Sequence, residues 1–122
     1  MAVPRITKED LKARLDAGNA PVIIDVRLKY PFEHSTLTLP GARRVAPGEA
    51  DTVALPADQD IVAFDSDPGD IVSAEAAGRL RARGLRVMVL AGGLPEWVAA
   101  NLPTETKEAR TAAPAAKAAA KA

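Results

Sequence analysis

The sequence predicts a three-layer α/β/α sandwich with a mainly parallel central sheet, and three observations carry that prediction. The runs Pro21 to Val26, Ile61 to Phe64 and Arg86 to Leu90 have the near-continuous apolar character of parallel strands covered on both faces. After the second run, Ser73, Ala76, Ala77 and Leu80 recur at i, i+3, i+4 and i+7, which is one face of a helix. Strands and helices alternate at short spacing, the pattern of βαβ units rather than of hairpins.

Each element has a local reason. Thr7 stands where a helix needs its N-cap, with Asp10 at N3 for a capping-box-like exchange and Ile6 placed to pack on Leu11 as a hydrophobic staple. The helix carries Leu11 and Leu15 inward and stops at Gly18, a C′ residue. In the strand that follows, Asp25 is the odd polar residue, read as a structural carboxylate that accepts N–H bonds from the next loop. Arg27 to Leu39 is a connecting loop with one helical turn around Tyr30 to Glu33, closed by Pro40-Gly41-Ala42. Its His34 is the single histidine of the chain; without a second ligand or a nucleophile beside it, it reads as a surface residue. Arg43 to Ala46 is a short strand, and Pro47 to Asp60 is a loop with at most a short helix near Glu49 to Ala54.

The second half is organised around Ile61 to Gly84, a strand, a tight polar loop and a helix. Glu75 and Arg79 form an i,i+4 pair on that helix, and Arg81, Arg83 and Arg86 cluster about its C-terminus, where the macrodipole favours cations. After the strand Arg86 to Leu90, Ala91-Gly92-Gly93 turns into a short helix containing Trp97, the largest apolar surface on offer and a core anchor. From Thr104 the composition becomes TETKEARTAAPAAKAAAKA, with no apolar stripe to dock it. The expected organisation is one domain over residues 1–104 and a flexible Ala/Lys-rich tail over 105–122.

Composition excludes several functions. The 122 residues carry sixteen basic and sixteen acidic side chains, a net charge of zero, so neither nucleic acid nor an anionic membrane is expected as a partner. No apolar run is long enough to span a membrane, and the start MAVPRITKED lacks a signal-peptide core; the expectation is a cytoplasmic monomer. With no cysteine, disulfides, thiolate metal sites and thiol catalysis are ruled out.

The loop after Phe64 is where an α/β protein keeps its chemistry, because the helix start aims backbone N–H groups across the strand's carboxyl end. It reads Asp65-Ser66-Asp67-Pro68-Gly69-Asp70, with Ser73 one step into the helix.

Several stretches together resemble the rhodanese-like domain, the fold of the thiosulfate and thiol sulfurtransferases. They are Asp25-Val26-Arg27 at a strand end, Leu39-Pro40-Gly41-Ala42 after a loop, Ile61 to Phe64, and Leu90-Ala91-Gly92-Gly93-Leu94-Pro95-Glu96-Trp97 running on to Asn101-Leu102-Pro103. The resemblance covers roughly residues 5 to 105, and its strength lies in the order of the set. It implies a loop in which a cysteine takes up a sulfane sulfur as a persulfide and passes it to an acceptor, its charge held by loop N–H groups. That cysteine's position is Asp65 here. A variant family loop with a Cys-x-Cys-Pro segment before the serine matches the spacing Asp65, Asp67, Pro68, Ser73, with aspartate at both cysteine positions.

A carboxylate cannot carry a persulfide, so no catalytic residue and no cofactor are expected, and the loop is a degenerate active site. Asp65 is expected to fill its own anion site by accepting the N–H bonds a thiolate would take. The candidate binding residues are Asp25, Arg27, Asp65, Asp67, Asp70 and Ser73, facing an unidentified protein or small-molecule partner, with no metal. The crevice above residues 65–70 would suit a partner's basic side chain or a small cationic group. One alternative is a magnesium-dependent phosphohydrolase, since Phe64-Asp65-Ser66-Asp67 resembles the Asp-x-Asp motif of the haloacid-dehalogenase-like enzymes. Another is a bare cation site at Asp65, Asp67 and Asp70, set against the simpler reading of an N-cap and a solvated helix start.

Overall fold

In the computed structural model, which describes residues 3–67 and 69–107, seven strands and four helices alternate along the chain. They are β1 (Arg5–Ile6), α1 (Lys8–Asp16), β2 (Val22–Asp25), α2 (Lys29–Glu33), β3 (Leu37–Thr38), β4 (Arg43–Arg44), β5 (Asp60–Phe64), α3 (Ile71–Ala82), β6 (Arg86–Leu90), α4 (Gly93–Ala99) and β7 (Glu105–Thr106), with a 3₁₀ turn at Pro47–Glu49. The main sheet has the order β1-β6-β5-β2-β4 and every pairing in it is parallel.

Parallel strands need both faces covered, and the side-chain alternation supplies two cores. Ile24, Ile61, Ala63, Val87 and Val89 pack with Ala76, Ala77 and Leu80 of α3. On the other set of positions, Ile23, Val62, Phe64 and Leu90 pack with Leu11 of α1 and with Leu94 and Trp97 of α4. The helical face read from Ser73, Ala76, Ala77 and Leu80 is the buried face of α3. Trp97 is fully buried, and its indole N–H donates to the Pro103 carbonyl at 2.6 Å.

The start of α1 follows the capping chemistry of its sequence. Thr7 Oγ1 accepts the Asp10 N–H at 3.0 Å, Ile6 and Leu11 share a core, and Gly18 adopts φ +73° just past the C-cap. Two local expectations are corrected. The helix expected near Glu49 to Ala54 is the 3₁₀ turn Pro47–Glu49, starting with proline at its first position and closed by Glu49 Oε1 accepting the Ala46 N–H at 2.8 Å. Arg79 does not rest on Glu75; its Nε donates to Asp51 at 3.1 Å and its Nη2 joins the same carboxylate. The arginines near Gly84 are exposed, as a solvated helix end requires, and each also donates to the protein. Arg81 donates to the Val87 carbonyl, Arg83 to those of Ala50 and Val53, and Arg86 to Asp60 and the Asp58 carbonyl.

The chain also stays in the fold past residue 104. Leu37 and Thr38 pair antiparallel with Thr106 and Glu105, and the Lys107 N–H donates to the Thr36 carbonyl at 2.9 Å. A two-residue backbone ladder needs no apolar pattern, so composition alone does not reveal it. The rest of the expected tail, residues 108–122, lies outside the described residues. Among the described residues no helix is long and apolar enough to cross a membrane.

Candidate functional site

The sheet order fixes where a crevice opens. From β2 the chain crosses to the edge strand β4 on one side, whereas from β5 it passes through α3 to β6 on the other. The segments leaving β2 and β5 therefore diverge, and the carboxyl ends of these two neighbours form a topological switch point, the usual place for a ligand in an open parallel sheet. A crevice of about 360 Å³ lies there. Leu28 and Pro31 come from the segment after β2; Asp65, Ser66 and Asp67 come from the loop after β5; Ile71 and Val72 begin α3.

Asp65 leaves β5 almost fully buried, at 1% exposure. Its Oδ1 accepts the Asp67 N–H at 2.9 Å and its Oδ2 the Ser73 N–H at 2.5 Å. Asp67 Oδ2 accepts the Ile71 N–H at 3.0 Å, so two carboxylates from the loop satisfy donors that the first turn of α3 cannot pair internally. Asp70, at the N-cap position, has φ +57°, and its carbonyl accepts the Ala74 N–H. Its own carboxylate turns elsewhere: Oδ2 accepts from Arg5 Nη1 at 2.5 Å and from the Gly92 N–H at 3.1 Å, while Oδ1 is buried without a partner. The backbone of Asp65 is pinned too, its carbonyl accepting the Leu94 N–H of α4 at 2.9 Å.

These contacts revise the electrostatics expected at the loop. Asp65 does take N–H bonds as a thiolate would, but burial raises its carboxyl above the ordinary range, with the Ser73 and Asp67 N–H groups pulling the other way and the nearby Asp70 charge pushing it further up. Of the residues at the helix start Asp70 is buried, whereas Ile71 is exposed. The three aspartates point to three different sets of partners, and among the described residues no group of three acidic, histidine or cysteine side chains could hold a metal ion. Pro68 lies outside the described residues.

Asp25 and Arg27 are brought together with each other rather than with the crevice. Arg27 donates from Nε and Nη2 to the Asp25 carboxylate and from its backbone N–H to Oδ1, and both side chains are buried. The structural reading of Asp25 therefore holds, with the side chain of Arg27 as an added partner. His34 is exposed, its ring 4.0 Å from that of Tyr30. Sequence reasoning missed the wall formed by Leu28 and Pro31, because exposure of an apolar side chain cannot be read from local sequence. It also missed the Arg5 contact to Asp70, which joins residues 65 positions apart and leaves no local trace.

Fold and loop together define an α/β domain built to hold a charged atom among N–H groups at the start of a helix. The chain belongs to the family of the rhodanese-like domain, whose family model matches residues 7–100. Solved structures agree. A full-length protein from Lactobacillus plantarum is 25% identical with a TM-score of 0.77, over 84% of this chain and 87% of that one. A rhodanese-like domain from Anabaena sp. is 27% identical with a TM-score of 0.69, over 84% and 78%. A protein of unknown function from Rhodopseudomonas palustris, named as a possible tyrosine phosphatase, is 24% identical with a TM-score of 0.72 over 84% and 85%, a likeness of fold alone. No protein of curated function matches the sequence.

Proposed function

We propose that this rhodanese-like domain has no sulfurtransferase activity and serves as a binding or regulatory module whose crevice receives a partner. The observation that carries this reading is the seating of Asp65, whose two carboxylate oxygens take the Asp67 and Ser73 N–H groups. Sulfur transfer needs a nucleophile that can bond to sulfane sulfur and release it again, and the chain has no cysteine to do so. The Asp67 and Ser73 N–H groups already hold a carboxylate, so an incoming anion would have to displace it and would meet an acidic floor.

The phosphohydrolase alternative fares worse on the same contacts. A nucleophilic aspartate must present an oxygen to phosphorus, and both oxygens of Asp65 are engaged at 1% exposure. Asp67 would have to be its acid and base, yet its Oδ2 caps the Ile71 N–H.

The test is thiocyanate formation from thiosulfate and cyanide. The wild-type chain is expected to give none above buffer, and Asp65→Cys a measurable rate, because the Asp67 and Ser73 N–H groups then surround a thiolate; Asp67→Cys, at a less buried position of the same loop, is the companion variant. Turnover by the purified wild type overturns the proposal.

A further inference from the structure

We infer that the crevice between α2 and α3 docks a lysine side chain presented by an extended peptide with apolar neighbours, an inference that rests on the binding-module reading above. The walls are apolar: Leu28 and Pro31 on one side, Ile71 and Val72 on the other. They are also uncovered. Of the four large apolar side chains exposed among the described residues, Leu28 at 49% and Ile71 at 69% line the crevice. Exposed apolar side chains scattered singly mean little, whereas two that line one crevice together with Pro31 and Val72 mark a contact surface.

The floor supplies the charge. Asp65 and Asp67 line the crevice, and among the described residues no lysine, arginine or histidine does. Arg27 and Arg5 are committed elsewhere, to Asp25 and to Asp70. At about 360 Å³ the space sits at the small end of ligand sites, roughly 300–1,000 Å³, which suits one long side chain better than a larger molecule. A side chain with an aliphatic stem and a cationic head matches apolar walls over an acidic floor.

The hydrogen-bonding capacity selects between the two cationic side chains. Both oxygens of Asp65 accept N–H bonds, and Oδ2 of Asp67 is tied to Ile71, which leaves Asp67 Oδ1 as the oxygen that accepts nothing from the described residues. The fork of a guanidinium prefers two uncommitted oxygens side by side, and here one is already bonded to the Ile71 N–H, while an ammonium, with three rotatable donors, is served by the other. The recognition is therefore opposite in charge to that of a sulfur-transfer site.

The experiment uses labelled heptapeptides with one apolar flanking sequence and lysine, arginine, norleucine or glutamate at the centre, followed by fluorescence anisotropy and by ¹H–¹⁵N spectra of the full chain. The lysine peptide is expected to bind about tenfold more tightly than the norleucine peptide, with the arginine peptide between them and the glutamate peptide weakest. Its shifts should centre on Ser66, Asp67, Ile71 and Val72, and its advantage should shrink with salt. Asp67→Asn keeps an acceptor for Ile71 and should erase the lysine preference. Ile71→Ser, at an exposed position that does not threaten folding, should weaken the lysine, arginine and norleucine peptides alike. Equal binding of lysine and glutamate peptides, shifts away from the crevice, no binding of any peptide, or a dimer of the chain itself that Ile71→Ser dissolves would each overturn the inference. Thiocyanate assays on the same samples keep the two proposals apart: turnover sinks the inactive-module reading whatever the peptides do, and peptide failure without turnover sinks only this one.

Discussion

Arg27 Nη2 lies 2.6 Å from Asp25 Oδ2, and Arg27 Nε 2.9 Å from Oδ1, a forked ion pair closed within three residues at the end of β2 and 1–2% exposed. The guanidinium sits 5.4 Å from the ring centroid of Phe32 and 5.7 Å from that of Phe64, and Nη2 also donates to the Leu37 carbonyl. Arg27 thus ties the end of β2 to β5, to α2 and to β3, and it sets the position of the segment that becomes one wall of the crevice.

Arg27→Ala is expected to cost about 3–5 kcal/mol, because it strands a buried carboxylate. Arg44 Nη1, 3.8 Å from Asp25 Oδ1, offsets part of that loss. Asp25→Leu combined with Arg27→Met should recover most of the stability, since a buried pair replaced by apolar groups of similar size is often neutral. Urea unfolding followed through Trp97, the sole tryptophan, measures both. A double variant as unstable as the single one would mean that the fork, rather than the volume, holds the loop.

The Asp65 carboxyl gives a pH dependence with a definite sign. Its native pKa is raised by burial, so the folded state holds the proton more tightly than the unfolded chain does. Below the unfolded value, about 4, Asp65 is protonated in both states and no penalty applies. As pH rises from there through the native value, the folded protein surrenders the proton against burial and stability falls; above the native value the penalty is constant. Asp65→Asn abolishes this titration. It also turns an amide N–H toward one of the two loop donors, a pH-independent cost of roughly 1–3 kcal/mol. The wild-type advantage over Asp65→Asn in unfolding free energy should therefore shrink as pH rises above the ordinary carboxylate range and then level. An advantage that grows with pH would mean that the N–H bonds outweigh burial.

What could be read from the sequence divides along physical lines. The parallel strands, the buried face of α3 and the Thr7 cap were legible because each is written within a dozen residues as periodicity or cap chemistry. The position of Asp65 and its N–H partners followed from strand, loop and helix order. Three kinds of feature were not legible. Arg79 chose Asp51 over Glu75 because a fork from a distant loop has better geometry than a helical neighbour. The strand pair β3–β7 rests on backbone bonds that composition does not encode. The balance at Asp65 between burial and N–H bonding depends on how deeply the loop sits, a property of the packed fold.

Phe32 should act as the clasp of α2. That helix buries none of its residues fully and has no side-chain cap, yet three cations face the Phe32 ring: Arg44 and Lys107 at 4.0 Å and Arg27 at 5.4 Å. The Lys107 ammonium also donates to the Phe32 carbonyl. Phe32→Leu keeps apolar volume and removes the ring face, with an expected cost of about 1 kcal/mol or somewhat more across the three contacts. Because Leu28 and Pro31 belong to the same segment, amide exchange should quicken from residue 28 to 38 and at Thr106 and Lys107, and stay unchanged in α3. Uniform quickening through the sheet would show that the ring holds the core rather than the crevice wall.

Gly93 tests whether α4 supports the loop. Its φ is +61°, and a Cβ there would stand 2.4 Å from the Asp65 carbonyl oxygen, the acceptor of the Leu94 N–H. Gly18 is the natural control, with φ +73° and nothing within 4 Å of a Cβ. Gly18→Ala should cost only the backbone strain of a left-handed alanine, roughly 1–2 kcal/mol. Gly93→Ala pays the same strain and must also push the Asp65 carbonyl away, so it should lose at least about 1 kcal/mol more, in the range of overpacking. The same push moves the Asp65 side chain against its donors, which should shift the Asp67 and Ser73 amide resonances in Gly93→Ala and leave them in place in Gly18→Ala. If the two alanine variants are equally stable and those amides do not move, the end of β5 yields to α4 without cost and the loop owes its shape to its own hydrogen bonds alone.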